Sequence, residues 1–199
     1  MTEVERYNEA WATGDYAPLK GFVTVRCLYR THYFNGYKKL LDVGCGPGAA
    51  VKYHREIGGI EAYGIDFAES AIDTWKKCDV EEYCSVASAE DIPFKSNEFD
   101  MVTCTDVLEH IPEDNVKKTF DEMLRVGNKD FFFTIALEKA QHGMPHDGSE
   151  PHICIKSAEW WIERMVDSGY WFTAIPYVAL NTLCIQARKP DVSHKHRYH

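Results

Sequence analysis

A loop with glycine at every second position follows a short apolar run. Residues 40 to 48 spell LLDVGCGPG, so the glycines are Gly44, Gly46 and Gly48. The apolar run predicts a buried strand, and Pro47 suits the first turn of a helix because its missing N–H is not needed there. Glycine at a strand-to-helix turn lets a ligand approach the main chain without meeting a Cβ. The segment therefore predicts a ligand site at the carboxyl edge of a doubly wound sheet.

The spacing of the glycines separates two classes of ligand. A nucleotide pyrophosphate favours the pattern G-x-G-x-x-G, with free main-chain amides at the helix N-terminus. Here Ala49 stands where the third glycine would be, and Pro47 has no amide to offer. The turn therefore favours a phosphate-free cofactor whose amino-acid tail passes close over it, and a purely structural glycine turn is the alternative.

This motif resembles that of the class I S-adenosylmethionine-dependent methyltransferases, in particular the small-molecule branch of the ubiquinone-biosynthesis type. The resemblance covers about residues 36 to 188. It implies that S-adenosyl-L-methionine is the cofactor and that the glycine turn holds its methionine end. On this resemblance, contacts with the cofactor are expected at Asp42, Gly44, Cys45, Gly46 and Gly48.

An acidic residue ends the next predicted strand, about twenty residues after the first glycine. Asp66 follows the segment AYGI, and a carboxylate at this place accepts hydrogen bonds from both ribose hydroxyls. Asp66 also suits the N-cap of a helix that begins near Ala68, because aspartate is a favoured capping residue. Together with the glycine turn, the ribose role is the one we expect, and Phe67 joins the expected cofactor site.

The segment ASAEDIPF, residues 87 to 94, resembles the part of the family that contacts adenine, usually D-A-E-x-L-P-F. Ser88 stands in place of the usual aspartate, so contact with the adenine amino group is expected from Ser88, Ala89 or Glu90. The alternative is an acidic surface loop closed by a proline turn.

The segment CTDVLEHIP, residues 104 to 112, is expected at the end of the fourth strand. In the resembling family this stretch lies beside the methyl donor. The resemblance therefore implies a cofactor contact at Thr105 and places His110 near the chemistry. The alternative for His110 is a structural role in holding the loop.

A long polar segment, residues 137–156, follows the fifth predicted strand. Loops of this length are usually functional, and this one leaves the edge where the cofactor is expected, so we predict an acceptor-binding lid. His146 or His152 is expected to act as a general base, because imidazole titrates near neutral pH. Structural roles and a metal site that includes His142 and Asp147 are the alternatives. Their spacing matches no well-defined metal site, and no metal is expected.

Alternating strands and helices predict a single α/β domain with a doubly wound, Rossmann-like sheet. Seven strands are expected, mostly parallel, with an antiparallel last strand because a short connection joins the final pair. The domain spans 37–190, after an N-terminal helical cap at 1–36 and before a disordered tail at 191–199. The predicted strands are 39–43, 61–65, 82–86, 98–104, 130–136, 171–177 and 181–187, and the predicted helices are 48–57, 68–77, 114–126 and 157–167.

Composition argues against several classes of protein. A net charge of −9 over 199 residues gives no general basic footprint for nucleic acid. No apolar run approaches the roughly 18 residues that cross a bilayer, and the polar N-terminus lacks the pattern of a signal peptide. Seven cysteines without a close pair predict reduced thiols. We therefore expect a cytoplasmic protein that meets no nucleic acid or membrane, with its oligomeric state open.

The resulting functional prediction is methyl transfer from S-adenosylmethionine to an oxygen or nitrogen of a small-molecule acceptor. The sulfonium already activates the methyl carbon, so the protein mainly aligns the acceptor and excludes water. Two alternatives are an oxidoreductase that uses a nicotinamide dinucleotide and a domain that binds S-adenosylmethionine without catalysis.

Overall fold

The structure is a computed structural model, and it describes residues 2–12, 26, 33–140, 143–144, 148–174, 176–179 and 181–190. Part of the predicted N-terminal cap and the whole of the predicted tail, 191–199, lie outside the described residues. Within the described residues, no helix is long and apolar enough to cross a membrane.

The strands of the described residues form one mixed sheet in the order β3-β2-β1-β4-β5-β8-β6, and β7 also pairs with β8. Strands β1 to β5 are parallel to their neighbours, whereas β8 is antiparallel to β5. Their bounds are Lys39–Val43 (β1), Glu61–Asp66 (β2), Cys84–Val86 (β3), Phe99–Thr105 (β4), Gly127–Ala136 (β5), Trp171–Phe172 (β6), Tyr177–Ala179 (β7) and Thr182–Arg188 (β8).

Strands β6 and β7 share one position in the sheet, because they pair with opposite ends of β8. Trp171 pairs with Arg188 near the end of β8, and Tyr177 pairs with Cys184 nearer its start. Counted this way the sheet has seven positions with a reversed last strand, so the predicted fold class is confirmed.

The structure corrects the predicted sixth strand, 171–177, and the connection that follows it. Only Trp171–Phe172 forms its first part, and Pro176 precedes the second part, Tyr177–Ala179. Proline cannot donate a hydrogen bond to the neighbouring strand, so it interrupts pairing with β8. The hairpin turns instead at Asn181, whose φ of 58° is a conformation that asparagine tolerates.

Five helices of the described residues cover the sheet, and two short 3₁₀ turns precede α3 and α4. The helices agree with the predicted ranges to within a residue, except that the first turn of the predicted helix 68–77 is a 3₁₀ turn. Their bounds are Glu3–Ala12 (α1), Ala49–Glu56 (α2), Ile72–Lys77 (α3), Glu113–Val126 (α4) and Ala158–Asp167 (α5), with 3₁₀ turns at Glu69–Ala71 and Leu108–His110.

The core has two apolar layers because alternate residues of a strand point to opposite faces. Phe131 and Phe133 of β5 lie in the layer that includes Phe120 of α4 and Trp161 of α5. Phe132 lies in the layer on the other side, which includes residues of α2 and α3. The parallel strands are therefore covered on both faces, as a doubly wound sheet requires.

The carboxyl ends of parallel strands meet at one edge of the sheet. The glycine turn follows β1, Asp66 ends β2, Thr105 ends β4 and the lid follows β5. This edge therefore gathers the segments that the sequence analysis singled out, which lie far apart along the chain.

Candidate active site

The three glycines of the turn all have a left-handed backbone. Their φ angles are 73°, 49° and 79° for Gly44, Gly46 and Gly48. A Cβ on Gly44 would lie 2.3 Å from Cγ2 of Val107, and a Cβ on Gly48 would lie 2.6 Å from Cγ2 of Val80. The backbone conformation therefore favours glycine at all three positions, and packing excludes a side chain at Gly44 and Gly48.

The main-chain amides of this turn are engaged within the protein. Gly44 N and Cys45 N donate to the carbonyl oxygen of Ile65 at 2.8 and 2.9 Å, and Gly48 N donates to the carbonyl oxygen of Cys45 at 3.0 Å. Gly46 N donates to Oδ2 of Asp66 at 2.9 Å. A phosphate-binding loop needs amides that face its ligand, and these four amides are not available for that purpose.

Trp75 of α3 holds the glycine turn through a hydrogen bond to its main chain. Its Nε1 donates a 2.7 Å hydrogen bond to the carbonyl oxygen of Gly46. Trp75 is almost fully buried in α3, and its ring also lies beside Gly48. Trp75 was not predicted as part of the site, because nothing in the local sequence connects it to the glycine turn.

The carboxylate of Asp66 is held by main-chain amides, and its predicted contact with ribose stays a prediction. Its Oδ1 accepts from the amide of Ala68 at 3.0 Å, while Oδ2 accepts from Gly46; the N-cap of the following 3₁₀ turn is Ala68 rather than Asp66. Burial raises the pKa of the carboxyl, and hydrogen bonds from the amides of Ala68, Gly46 and Phe67 oppose that rise. A carboxylate has about four acceptor positions, so these amides do not exhaust its capacity for ribose hydroxyls.

Asp42 and Cys45 support the turn from inside the core. Asp42 Oδ1 accepts from Oγ1 of Thr103 at 2.7 Å, and burial raises the pKa of Asp42 to about 7. The Cys45 side chain is buried. Burial is the larger cause, and a hydrogen bond with Cys84 a smaller one, of the rise in the pKa of its thiol well above the usual value. Cys45 therefore stays a protonated thiol, and the predicted contacts of Asp42 and Cys45 with a cofactor stay predictions.

The predicted adenine segment lies next to Asp66, because Ala87 N donates to the carbonyl oxygen of Asp66 at 2.9 Å. Ser88 Oγ accepts from Glu90 N at 3.1 Å, which closes a local turn. Glu90 Oε1 in turn accepts from Nδ2 of Asn115 at 2.9 Å. Asn115, near the start of α4, thus orients Glu90, and the sequence analysis did not identify it.

The segment after β4 brings His110 close to the glycine turn. Val107 contacts the position of Gly44, and its carbonyl oxygen accepts from His110 N at 2.9 Å. His110 Nδ1 lies 2.8 Å from the carbonyl oxygen of Pro151 and 2.6 Å from the hydroxyl of Tyr7. Burial lowers the pKa of His110 to about 4, so its imidazole is neutral at neutral pH.

The described part of the predicted lid packs against the same edge. Cys154 N donates to the carbonyl oxygen of Glu109 at 2.9 Å, and the ring centroids of His152 and His110 are 5.0 Å apart. His152 Nδ1 lies 2.6 Å from the carbonyl oxygen of Glu138. The predicted base His146, with His142 and Asp147, lies outside the described residues.

Helix α1 connects the lid to the segment after Asp66. Arg6 donates to Oγ of Ser149 at 2.7 Å and to the carbonyl oxygen of Glu150 at 3.0 Å. Asn8 Oδ1 accepts from Ser70 N at 3.0 Å. The sequence pattern predicts a helical cap at 1–36, and the individual contacts of Arg6 and Asn8 were not predicted.

A small apolar cluster lies under the same helix. Tyr7 and Met144 are buried there with Ala68, and Phe67 packs against them. The rings of Tyr7 and Phe67 are 5.2 Å apart. The cluster therefore joins residues of α1 and of the segment 137–156 to the residues that follow β2.

Comparison with known proteins places the chain among enzymes of one family. A family model described as "Methyltransferase domain" matches residues 41–134. The chain is 31% identical to the ubiquinone biosynthesis O-methyltransferase of Idiomarina loihiensis, over 88% of this chain and 78% of that protein. It is 30% identical to the ubiquinone biosynthesis O-methyltransferase of a Shewanella strain, over 68% of this chain but only 61% of that protein.

A solved structure shows the same fold. The 1,6-didemethyltoxoflavin-N1-methyltransferase of Burkholderia thailandensis, with bound 1,6-didemethyltoxoflavin and S-adenosylhomocysteine, superimposes with a TM-score of 0.70. The match covers 94% of this chain and 88% of that one at 16% sequence identity.

Proposed function

The chain belongs to the class I S-adenosylmethionine-dependent methyltransferases, and from this we propose that it methylates an oxygen or nitrogen atom of a small-molecule acceptor. S-adenosylmethionine is the methyl donor of the family. The observation that carries the proposal is the geometry of the glycine turn. Its amides donate to groups of the protein itself, and one of them donates to the carboxylate of Asp66, which we propose also accepts from the ribose.

The residues at the sheet edge fit this cofactor. A Cβ on Gly44 or Gly48 would collide with Val107 or Val80, so glycine at these positions preserves the close turn that we assign to the methionine tail. Asp66 retains acceptor capacity for ribose hydroxyls, and Ser88 to Glu90 follow on the adjacent loop for the adenine. When bound, the cofactor supplies an electrophilic methyl group on a sulfonium.

We assign the acceptor side of the cleft to the lid and α1. The hydrogen bonds of Arg6 to Ser149 and Glu150 hold these two segments together. Such closure excludes water and keeps the acceptor in line with the methyl carbon. The proposed contribution of the protein is therefore mainly positional.

His152 is the proposed proton acceptor. A carbonyl oxygen only accepts hydrogen bonds, so the contact with Glu138 places a ring hydrogen of His152 on Nδ1, and in the neutral form of this ring Nε2 carries the lone pair. The acceptor oxygen forms its bond to the methyl carbon while the carbon–sulfur bond breaks and sulfur keeps the electron pair. The hydroxyl proton passes to Nε2 of His152 and then to water. His110 keeps the His152 ring in place through their edge-to-face contact.

Oxygen is the favoured nucleophile of the two. Both curated relatives named above are O-methyltransferases, and a neutral imidazole is a suitable base for a hydroxyl or phenol. His146 stays a prediction as a second base.

The first test is binding and turnover with the purified chain. We expect calorimetry to detect one molecule of S-adenosylhomocysteine per chain, and we expect methyl transfer from labelled S-adenosylmethionine to some members of a panel of phenols, alcohols and amines. Absence of binding would overturn the cofactor site, and binding without transfer to any of these compounds would favour the non-catalytic alternative. A thermal shift with a nicotinamide dinucleotide, but none with S-adenosylhomocysteine, would favour the oxidoreductase.

The second test addresses His152. His152→Ala is expected to lower turnover about 10-fold or more while leaving the affinity for S-adenosylhomocysteine within about twofold. Lys139→Ala, an exposed change in the same segment, is the matched control and should leave both values unchanged. Full turnover in His152→Ala would remove His152 from the mechanism.

A further inference from the structure

The loop that carries the predicted adenine segment is attached to α4 by charged side chains. Residues 87–98, between β3 and β4, form neither helix nor strand. The main chain of Ile92 and Phe94 in this loop is nonetheless hydrogen-bonded to Glu122 and Arg125 of α4. Loops are usually the more mobile parts of a domain, so side chains that fix this loop bear on what it binds.

Glu122 and Arg125 form a two-point ion pair on one face of α4. Arg125 Nε donates to Oε1 of Glu122 at 2.7 Å, and Arg125 Nη2 donates to Oε2 at 2.8 Å. Two parallel hydrogen bonds of this kind fix the plane of the guanidinium as well as its position. The side chains are 34% exposed for Arg125 and 19% exposed for Glu122, so water only partly screens the pair. The hydrogen bond from Arg125 is the largest cause that lowers the pKa of Glu122, which therefore stays charged at neutral pH.

The same two side chains also bind the main chain of the loop. Glu122 Oε2 accepts from the amide of Ile92 at 2.9 Å. Arg125 Nη2 donates to the carbonyl oxygen of Ile92, and Nη1 donates to that of Phe94, both at 2.8 Å. Pro93 between them has a fixed φ and no amide. These three hydrogen bonds therefore define the path of the chain from Ile92 to Phe94.

The other end of the predicted adenine segment is attached to β2. The amide of Ala87 donates to the carbonyl oxygen of Asp66 at 2.9 Å. Between the two attachments, the amide of Asp91 donates to the carbonyl oxygen of Ser88 at 3.1 Å. Residues 88–91 therefore form a short arch, one end of which is held by β2 and the other by α4.

We propose that Glu122 and Arg125 are positioning residues for the cofactor, because their ion pair fixes the end of the arch that binds the adenine. The inference rests on the proposed function, since the adenine is that of S-adenosylmethionine. Neither side chain contacts the cofactor in this proposal, and both act through the main chain of Ile92 and Phe94. An arch that already has its binding shape loses less conformational entropy when the adenine binds.

A second ion pair of α4 shows how this pair differs from an ordinary one. Lys117 Nζ lies 2.7 Å from Oδ2 of Asp121, and their side chains are 63% and 49% exposed. That pair joins neighbouring turns of one helix, and exposed pairs of this kind contribute little to stability. Glu122 instead binds Ile92, which lies 30 positions earlier in the sequence. Lys117 therefore offers a matched control on the same helix.

The binding experiment compares Arg125→Ala with Lys117→Ala in the full-length chain, below the unfolding temperature of both variants. We expect calorimetry to show an affinity for S-adenosylhomocysteine about 10-fold weaker in Arg125→Ala and within about twofold of the wild type in Lys117→Ala. Arg125→Lys should lie between Arg125→Ala and the wild type, because an ammonium group donates to the loop carbonyls but cannot form the two-point pair. A role in stability alone would lower the melting temperature of Arg125→Ala and leave the affinity of the folded protein unchanged, which would overturn the inference.

Hydrogen exchange tests whether the arch itself loses order. In Arg125→Ala without cofactor, the amides of Asp91 and Ile92 should exchange about 10-fold faster than in the wild type. The amide of Gly46, which donates to Asp66 in the glycine turn, should keep its wild-type rate. Wild-type exchange at Asp91 and Ile92 in this variant would overturn the inference.

Glu122→Gln provides a second route if Arg125→Ala does not fold. An amide side chain has one acceptor oxygen, so it cannot serve both the Ile92 amide and the two donors of Arg125. We expect the affinity for S-adenosylhomocysteine to fall about threefold or more and the Ile92 amide to exchange faster. Wild-type values for both quantities in folded Glu122→Gln would overturn the inference.

The outcomes separate this inference from the proposed function. With a known acceptor, Arg125→Ala should raise KM for S-adenosylmethionine about 10-fold and change kcat by less than about twofold, because the arch contributes to binding rather than to the transfer step. If the wild type binds S-adenosylhomocysteine and folded Arg125→Ala binds it equally well, the inference fails and the proposed function stands. If the wild type binds no S-adenosylhomocysteine, the proposed function fails, and the assignment of the arch to adenine fails with it.

Discussion

The amide of Gly46 donates a 2.9 Å hydrogen bond to Oδ2 of Asp66, so the glycine turn and the acidic end of the second strand form one unit. Asp66 therefore shapes the turn, and in the proposed function it also accepts from the ribose hydroxyls. A change at Asp66 should act on both the cofactor contact and the turn that cradles the cofactor.

Asp66→Ala is expected to weaken binding of S-adenosylhomocysteine about 50-fold or more, because it removes charged hydrogen bonds to the ligand and the support of Gly46. Asp66→Asn should lie between this variant and the wild type, since one carbonyl oxygen remains. Calorimetry measures both affinities. Asp73→Ala, at an exposed position of α3, should bind as the wild type does. Wild-type affinity in folded Asp66→Ala would contradict the ribose assignment.

Gly44→Ala is expected to reduce the free energy of unfolding by about 3 kcal/mol, from a left-handed backbone and from the overlap with Val107. Urea unfolding measures this change. Gly59→Ala has a similar backbone at φ 61° but open space around it, so it should lose only about 1 kcal/mol.

Val107→Ala tests whether overlap with the Val107 side chain causes the larger loss of stability that we expect for Gly44→Ala than for Gly59→Ala. In the double variant with Gly44→Ala, the two changes should couple by about 1 kcal/mol or more in the stabilising direction. Simple additivity of the two single changes would show that the overlap with Val107 is not the cause.

Trp75→Phe is expected to lower the affinity for S-adenosylhomocysteine several-fold and the free energy of unfolding by about 1–3 kcal/mol. The change removes the donor to the Gly46 carbonyl and leaves that buried oxygen without its partner. Calorimetry and urea unfolding provide the two values. Trp171→Phe, which is 57% exposed in the wild type, should change neither by more than about 0.5 kcal/mol. An unchanged affinity in Trp75→Phe would mean that this hydrogen bond does not shape the turn.

Asp42→Asn is expected to change the dependence of stability on pH. The carboxyl of Asp42 ionises near pH 4 in the unfolded chain but has a pKa of about 7 in the fold, because it is buried. The folded state then binds more protons between these values, so wild-type stability falls as pH rises through this range. At about 1.4 kcal/mol per pKa unit, the variant should gain about 3 to 4 kcal/mol relative to the wild type between pH 4 and pH 7.

Urea unfolding of the cofactor-free protein at several pH values provides the comparison. The test depends on the slope rather than on the absolute stability, because the new amide in the core has its own cost. Parallel stability curves for the two proteins would show that Asp42 does not titrate in this range.

The strands of the sheet show which parts of the fold the sequence predicts. Apolar runs at β1, β2, β4 and β5 predict strands because each carries its own pattern, and their alternation with helices predicts parallel pairing. The interrupted edge strand was predicted less well. Whether Trp171 and Tyr177 belong to one strand depends on pairing with β8, and Pro176 breaks that pairing locally.

The motif LLDVGCGPG and the acid about twenty residues later were enough to determine the family, the fold class and the methyl donor, because a strand-to-helix turn is built from consecutive residues. Tertiary structure decided which partners complete the site. Trp75 reaches the turn from α3, Asn115 orients Glu90 from α4, and His152 returns from the lid to His110. These contacts join residues far apart in sequence, and packing sets them through geometry that no local pattern records.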